Sequence, residues 1–372
     1  MSVQLDTDCE GPLCLNDNAF EVCVRCLPDG ARFFTQISRY DDYLAEVVRR
    51  PGYEAGNTLK LIAPFLKAHG LTDAAMLEFS RQSVDLVPGA EEEFAAVRAL
   101  GMVPAFIVST SYAQFAHAVA ERLRVRARDV YCTPFALDRM SLPESESKEL
   151  RTLVRQIAGS PLIELPENDV LSQPTLGTVA FLEDVFRHRL PAMKALALIH
   201  SVRLVSAEGK ARAVLDSLAR TGNSPSEVIY VGDSITDVKA FKLVSDGGGL
   251  AVSFNGNRYG VDAAEIACAA DDAVATTILI DVFARYGKPA ALDLADRWPE
   301  EKTAQLDLVR EFNVSALVRE RLASLESRGI HIRPVNDETS DEMCQHSAEM
   351  RVLLRGERLG VFNLDKGSSV LR

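Results

Sequence analysis

The most informative stretch of the chain is residues 228–237, Val-Ile-Tyr-Val-Gly-Asp-Ser-Ile-Thr-Asp. Four apolar residues followed by glycine are typical of a short, buried strand in a parallel sheet. Asp233 and Asp237 come next, and their four-residue spacing at the start of a helix places both carboxylates on one side. The stretch therefore predicts a strand that delivers two acids to the carboxyl edge of a sheet.

Further apolar runs of the same kind precede and follow this strand, and each ends in small, polar or acidic residues. They are Val3–Leu5, Met102–Val108 and Gly249–Ser253. Helical patterns lie between the strands, at Ala90–Leu100, Tyr112–Leu123, Gly209–Arg220 and Val238–Leu243. This alternation predicts an α/β sheet with right-handed crossovers, in which ligands lie at the carboxyl ends of the strands.

Two long helical segments interrupt the alternation, and they divide the chain into predicted units. We expect a Rossmann-like catalytic core from residues 1–15, 84–137 and 201–290, a helical cap at 16–83 and a second helical insertion at 138–200. A C-terminal helical extension follows at 291–372, with one long charged helix at roughly Glu300–Arg328. The predicted fold class is α/β, a parallel-sheet core with a helical cap and a second helical insertion.

The first strand delivers two carboxylates, Asp6 and Asp8, at its carboxyl end. Residues i and i+2 of a strand point the same way. One acid of such a pair can attack as a nucleophile, while the other donates and later accepts a proton. The alternative is a surface loop that contains two aspartates by chance.

Two more positions could hold an anion. Ser109, Thr110 and Ser111 end an apolar strand, and their hydroxyls can donate to a phosphoryl oxygen, although Ser109 or Ser111 could instead cap the next helix. Lys210 lies near a helix N-terminus, where the helix dipole disfavours a cation, so this side chain needs an anionic partner. The alternative for Lys210 is a solvated surface lysine.

Taken in order, these elements resemble the four motifs of the haloacid dehalogenase (HAD) superfamily. The stretches Val87–Phe94 and Ser253–Asn257 resemble its phosphoserine-phosphatase-like branch. More narrowly, Asp6–Pro12 followed by Leu15–Ala19 resembles the family named energy-converting hydrogenase A subunit R. The resemblance covers residues 1–16, 84–135 and 203–290, about half of the chain.

The resemblance implies a role for each matching residue. Asp6 would be the nucleophile and Asp8 the general acid and base, and an acid at that second position points to a phosphatase or phosphomutase. Ser109, Thr110, Lys210 and Asn255 would bind the substrate. The implied Mg²⁺ ligands are Asp6, Asp8, Asp233 and Asp237.

The predicted function is therefore a magnesium-dependent phosphomonoester hydrolase, which acts on a small phosphorylated metabolite through an aspartyl-phosphate. Two alternatives remain open. A phosphomutase would share the nucleophile and the acid. A non-catalytic binding or regulatory protein could use the same fold and work through its insertions.

Composition limits the possible partners. The net charge of −12 argues against nucleic acid and anionic membranes, because both need a positive field. We expect no membrane span and no signal peptide, since apolar runs stay well below ~20 residues and no basic segment opens the chain. Seven cysteines, an odd number, favour a reducing cytoplasm, and Cys9, Cys14, Cys23 and Cys26 are expected to be buried thiols. The C-terminal extension could support a homo-oligomer.

Overall fold

A computed structural model describes residues 3–53, 55–165, 171–326 and 329–356 of the 372-residue chain. The described residues form one seven-stranded sheet with the order β3-β2-β1-β4-β5-β6-β7. The strands are β1 (Gln4–Thr7), β2 (Phe106–Tyr112), β3 (Val130–Thr133), β4 (Val228–Gly232), β5 (Leu250–Phe254), β6 (Ile266–Ala269) and β7 (His331–Pro334).

The first strand lies in the interior of this sheet, next to the middle strand β4. β1 pairs in parallel with β2 and β4, and every pair from β3 to β6 is parallel, whereas β7 runs antiparallel to β6. All residues of β1, β4, β5 and β6 are buried, as expected of strands covered on both faces by helices. The predicted α/β parallel-sheet fold is confirmed.

Helices cover both faces of the sheet and fill the segments between strands. Those before β4 are α1 (Asn18–Cys26), α2 (Gly30–Asp42), α3 (Thr58–Ala68), α4 (Asp73–Ser83), α5 (Ala90–Ala99), α6 (Ala113–Leu123), α7 (Glu144–Gly159), α8 (Gln173–Asp184), α9 (Leu196–Ser201) and α10 (Ala207–Thr221). Those after β4 are α11 (Val238–Asp246), α12 (Arg258–Ala263), α13 (Val274–Tyr286), α14 (Lys288–Asp296), α15 (Lys302–Glu311), α16 (Ala316–Ser324) and α17 (Ser340–Arg355). Within the described ranges, every helix is too short or too polar to cross a lipid bilayer.

The two predicted insertions share one hydrophobic core. Phe33 of α2 and Phe65 of α3 meet edge to face at 5.0 Å, and Phe65 meets Phe186 of the second insertion at 6.3 Å. Gln36 of α2 also donates to the carbonyl of Pro161, at 2.7 Å. We call this joint unit the helical body, comprising α1–α4 and α7–α9. Two segments that are separate in sequence therefore form a single layer of packed helices.

The C-terminal extension differs from its prediction. The expected helix at Glu300–Arg328 is wrong, because α15 ends at Glu311 and Asn313 adopts a φ of +50° before α16 begins. The extension also contributes β7 to the sheet edge and packs α17 against the core. Residues 357–372 of the predicted extension lie outside the described residues. The strands β3, β6 and β7, of four residues each, were not predicted.

Candidate functional site

The centre of the site is a buried lysine between two carboxylates. Asp8 follows β1 directly, and its Oδ2 lies 2.6 Å from Nζ of Lys210. Asp237 lies on the other side, with Oδ1 at 2.8 Å from the same Nζ. Lys210 and Asp237 are fully buried and Asp8 is 5% exposed. A buried cation between two anions is a low-dielectric ion-pair network in which each partner depends on the others.

Helix α10 explains why Lys210 reaches Asp8. The helix lies beside β1 and runs in the opposite direction, so its first turn is level with the carboxyl end of the strand. Lys210 in that turn meets Asp8, and Ser217, two turns later, meets Asp6 through a 2.7 Å hydrogen bond. The predicted anionic partner of Lys210 is thus present, and the solvated-lysine alternative does not apply.

Asp6 occupies a different environment from the one predicted. It lies inside β1 opposite Tyr230 of β4, its Oδ1 accepts from Gln4 Nε2 at 2.7 Å, and its Oδ2 accepts from Ser217. The side chain is fully buried and is not among the described residues that line the cavity. The prediction of Asp6 as nucleophile and Mg²⁺ ligand is corrected on this point, because β1 continues two residues further than expected and leaves Asp6 below the edge of the sheet.

The protonation of these acids follows from burial. Burial raises the pKa of Asp6 to about 7, opposed by the hydrogen bonds from Ser217 and Gln4. Burial likewise raises the pKa of Asp8 to about 8, opposed by Lys210 and reinforced by Asp237 and Asp233. For Lys210, burial lowers the pKa, but Asp237 and Asp8 outweigh it and the net shift is upward. A further cation near Asp8 would therefore stabilise the ionised carboxylate.

The acids that follow β4 complete a group that fits a metal ion. Asp8, Asp233 and Asp237 each offer one carboxylate oxygen, and these oxygens lie within 4.8 Å of one another. Oxygen-only donors of this kind suit Mg²⁺. Among the described residues, this is the one group of acids, histidines and cysteines with such spacing.

The two acids after β4 are not equivalent. Both oxygens of Asp237 are already engaged, by Lys210 and the Tyr230 hydroxyl on one side and by the backbone N–H groups of Asp233 and Ser234 on the other. Asp233 faces the cavity, and burial raises its pKa to about 6, opposed by Arg355. Asp8 also lines the cavity, whereas Asp237 is not among the described lining residues, so Asp8 and Asp233 are the better placed to hold a cation directly, with Asp237 orienting Lys210.

Glu10 is a site residue that the sequence analysis missed. It lines the cavity two residues after Asp8, and its Oε1 accepts from the backbone N–H of Asn18 at 2.9 Å. Burial and the nearby Asp17 raise its pKa to about 8. The alternation of Asp6, Asp8 and Glu10 at every second position could have indicated it, because all three point the same way in an extended chain.

The end of β2 supplies hydroxyl groups to the same cavity. Ser109 and Thr110 both line it, and Thr110 Oγ1 donates to the carbonyl of Val205 at 2.9 Å. The capping alternative does not apply, since α6 has Tyr112 at its N-cap without a side-chain hydrogen bond. Asn255, predicted to bind substrate, instead binds both backbone groups of Ala270 and is not among the described lining residues.

The cavity itself has a volume of about 230 Å³ and is enclosed by three parts of the chain. The core supplies the acids and hydroxyls described above. The helical body supplies Phe34, Asp42 and Leu59, and α17 supplies Arg351 and Arg355. The cysteines are not among the described lining residues: Cys9, Cys14 and Cys23 are buried free thiols, as predicted, whereas Cys26, also predicted to be buried, is only half-buried.

Comparisons with known proteins support the fold of this chain but not a particular reaction. No protein-family model and no curated protein matches the chain. A solved gene product of Archaeoglobus fulgidus is 28% identical, with a TM-score of 0.74, and the match covers 96% of this chain and 97% of that one. The insertions and the extension therefore belong to a fold shared along nearly the whole length.

A second solved structure is described as a HAD family hydrolase from Salmonella enterica serovar Typhi. It is 12% identical over 68% of this chain and 62% of that one, with a TM-score of 0.38, which is too low to support an inference. The narrower resemblance to the hydrogenase subunit family gains no support from either structure and stays a prediction.

Proposed function

We propose that this chain is a divalent-metal-dependent phosphomonoester hydrolase in which Asp8, rather than Asp6, is the nucleophile. The observation that carries the proposal is the pairing of Asp8 with the buried Lys210 at the carboxyl end of β1. Asp233 and the hydroxyls of Ser109 and Thr110 line the same cavity. A nucleophilic carboxylate, a fixed cation and phosphoryl-binding hydroxyls are the groups that covalent phosphoryl transfer requires.

In the first step, an oxygen of Asp8 attacks phosphorus, and the bond to the ester oxygen breaks. Lys210 on Oδ2 and the backbone N–H of Cys9 on Oδ1 hold the carboxylate in one orientation, at 2.6 and 2.7 Å. Lys210 lies beneath the cavity, so its charge offsets the developing negative charge from below. The hydroxyl of Ser109 donates to a phosphoryl oxygen from the side, whereas the Thr110 hydroxyl keeps its hydrogen bond to the carbonyl of Val205.

Glu10 supplies the proton. Burial and the nearby Asp17 raise the pKa of this side chain, which favours the protonated form that a general acid requires. It protonates the leaving oxygen in the first step. The resulting carboxylate then takes a proton from the water that attacks phosphorus, and Asp8 is released with inorganic phosphate.

The donor set fits a divalent cation held by Asp8 and Asp233, with Asp237 behind them. Such a cation supplies charge neutralisation for the carboxylate nucleophile and the incoming phosphate. This chain's own residues keep the cluster dry, since Asp8, Lys210 and Asp237 are all buried.

The test is hydrolysis of an aryl phosphate with and without Mg²⁺, by the wild type and by Asp8→Asn. We expect Mg²⁺-dependent release of phosphate by the wild type and background release by the variant, with circular dichroism to establish that the variant folds. Turnover by Asp8→Asn at the wild-type rate would refute the proposal. An isomeric phosphate ester as product, in place of inorganic phosphate, would favour a phosphomutase.

A further inference from the structure

The cavity has a basic side that the proposed phosphoryl chemistry does not use. Acids dominate the lining, and they are Asp8, Glu10, Asp17, Asp41, Asp42, Glu46 and Asp233. Among the described lining residues, the basic ones are Arg258, Arg351 and Arg355. Arg351 and Arg355 are one helical turn apart at the end of α17, so both guanidinium groups lie on the same side of the cavity. We call this side, formed by the last turn of α17, the α17 wall.

Helix α17 is held firmly against the core, which fixes the position of this wall. At its start, Asp341 pairs with Arg258 of α12 at 2.6 Å. Along its length, Met343 and Met350 are buried against Val261 and the strand β6. Near its end, Arg351 is 7% exposed and donates to the backbone carbonyl of Asn255 at 3.0 Å. The last turn of α17 is therefore a rigid part of the cavity.

The three arginines differ in how far they are already engaged. Arg258 is paired with Asp341, and Arg351 is anchored on Asn255. Arg355 is partly exposed and makes a long contact of 3.4 Å with the carbonyl of Cys14. Within the described residues, the hydrogen bond from Arg355 is this one contact, and a guanidinium with five N–H donors in a fork can bind further oxygen atoms.

We infer that Arg355, backed by Arg351, selects phosphomonoesters that carry a second anionic group, either a carboxylate or another phosphate. This inference rests on the proposed function and names its substrate class. The transferring phosphoryl group lies with Asp8, Ser109 and Thr110, at the ends of β1 and β2. A second anion that extends toward α17 meets the guanidinium fork, whose planar geometry matches carboxylate and phosphate in a bidentate manner.

Electrostatics support this assignment of the wall. Arg351 and Arg355 line the same cavity as Asp8 and Asp233, so their positive charge faces the proposed metal edge. Across the cavity, the helical body presents Asp42 and Glu46, which do not attract an anion. A distal anionic group therefore has its favourable position on the α17 side, and a cavity of about 230 Å³ limits the substrate to a small molecule.

The test compares phenyl phosphate with carboxyphenyl phosphate and with a short alkyl bisphosphate. The proteins are the wild type, Arg355→Gln, Arg355→Lys and the charge-matched surface control Arg310→Gln. We expect the wild type to prefer both two-anion substrates. Arg355→Gln should lower kcat/KM for them ~10-fold more than for phenyl phosphate, the size of one charge-assisted hydrogen bond. Arg355→Lys should recover part of the preference, and Arg310→Gln should retain all of it.

Equal losses on all substrates would overturn the inference and would assign Arg355 to the transferring phosphoryl group or the metal. A wild type that hydrolyses phenyl phosphate without preferring either two-anion substrate would overturn it as well.

A binding readout separates this inference from the hydrolase proposal. With Mg²⁺ present, phosphonoacetate should raise the Tm of the wild type more than methylphosphonate does, and Arg355→Gln should remove that difference. If nothing is hydrolysed but the difference is present, the hydrolase proposal fails and the anion site stands. If the wild type shows no difference, the anion site fails.

Discussion

Three acids at alternate positions define the site at the scale of single residues. Asp6, Asp8 and Glu10 all point toward α10 or the cavity, but each meets a different environment. Asp6 is held by Gln4 and Ser217 within the sheet. Asp8 meets Lys210 at the edge, and Glu10 lies beyond the edge. The chemistry of each carboxyl group therefore follows from its position relative to the carboxyl edge of the sheet and not from its residue type.

Asp6→Asn is expected to keep kcat/KM within ~10-fold of the wild type, because an amide can replace the carboxylate between Gln4 and Ser217 without touching Lys210. The measurement is Mg²⁺-dependent hydrolysis of an aryl phosphate, with circular dichroism to establish that the variant folds. A folded Asp6→Asn protein with background activity would restore Asp6 as the nucleophile.

Gly11 lets the loop after β1 pass close to Asp233. A Cβ at Gly11 would lie 2.3 Å from Asp233 Oδ2, and its φ of +107° also disfavours a side chain. Gly11→Ala should therefore displace the Asp233 carboxylate and weaken activity and Mg²⁺ affinity ~10–100-fold, as loss of a metal-orienting contact does.

The matched control is Gly70→Ala. Gly70 also has a positive φ, of +84°, but a Cβ there meets nothing within 4 Å. This variant should lose stability by roughly 1 kcal/mol and keep its Mg²⁺ affinity. Equal Mg²⁺ affinities in the two variants would show that the approach of Gly11 to Asp233 is unimportant.

At the scale of elements, α10 and β1 act as a matched pair. Two contacts align the helix with the strand: Lys210 meets Asp8 at the carboxyl end of β1, and Ser217 meets Asp6 two residues earlier in the strand. The sequence indicated both elements and the helix-start lysine. It could not indicate where β1 ends, because Asp6 is tolerated inside the strand only through Gln4 and Ser217, and Ser217 is 211 residues away.

Helix α5 carries a buried acid that lies away from the site. Glu93 accepts hydrogen bonds from Thr276 and Thr277 of α13, and burial raises its pKa from 4.5 to about 7. A folded-state pKa above the unfolded value means that the folded protein binds the extra proton. Its contribution to stability is therefore present below pH 4.5 and is lost as the pH rises to about 7.

Glu93→Gln removes this titration. The stability of the variant relative to the wild type should rise between pH 4.5 and about 7, by roughly 3 kcal/mol, and stay level above that. Urea unfolding at several pH values measures the difference. Glu91→Gln, an exposed change on the same helix, is the control for the loss of an acid that is not buried. A flat profile for Glu93→Gln would show that folding does not shift the pKa of Glu93.

At the scale of the whole molecule, the cavity depends on contacts that no local pattern encodes. The parallel sheet, Lys210, Asp233 and the β2 hydroxyls were predictable, because strand ends and helix starts carry local patterns. The merging of residues 16–83 and 138–200 into one helical body was not, since it depends on packing such as that of Phe65 against Phe186. The role of Arg355 could not be predicted from the sequence either, because this residue reaches the site only when α17 packs against the core.

The central claim is that phosphoryl transfer takes place on Asp8. The most direct test uses Glu10→Gln, which keeps the nucleophile but lacks the base that hydrolyses the intermediate. The variant is mixed with an aryl phosphate and Mg²⁺, quenched in acid and digested at low pH. Tandem mass spectrometry of the N-terminal peptide then locates the phosphoryl group. The account predicts an adduct on Asp8 and none on Asp6. An adduct on Asp6, or steady turnover with no adduct on either aspartate, would contradict it.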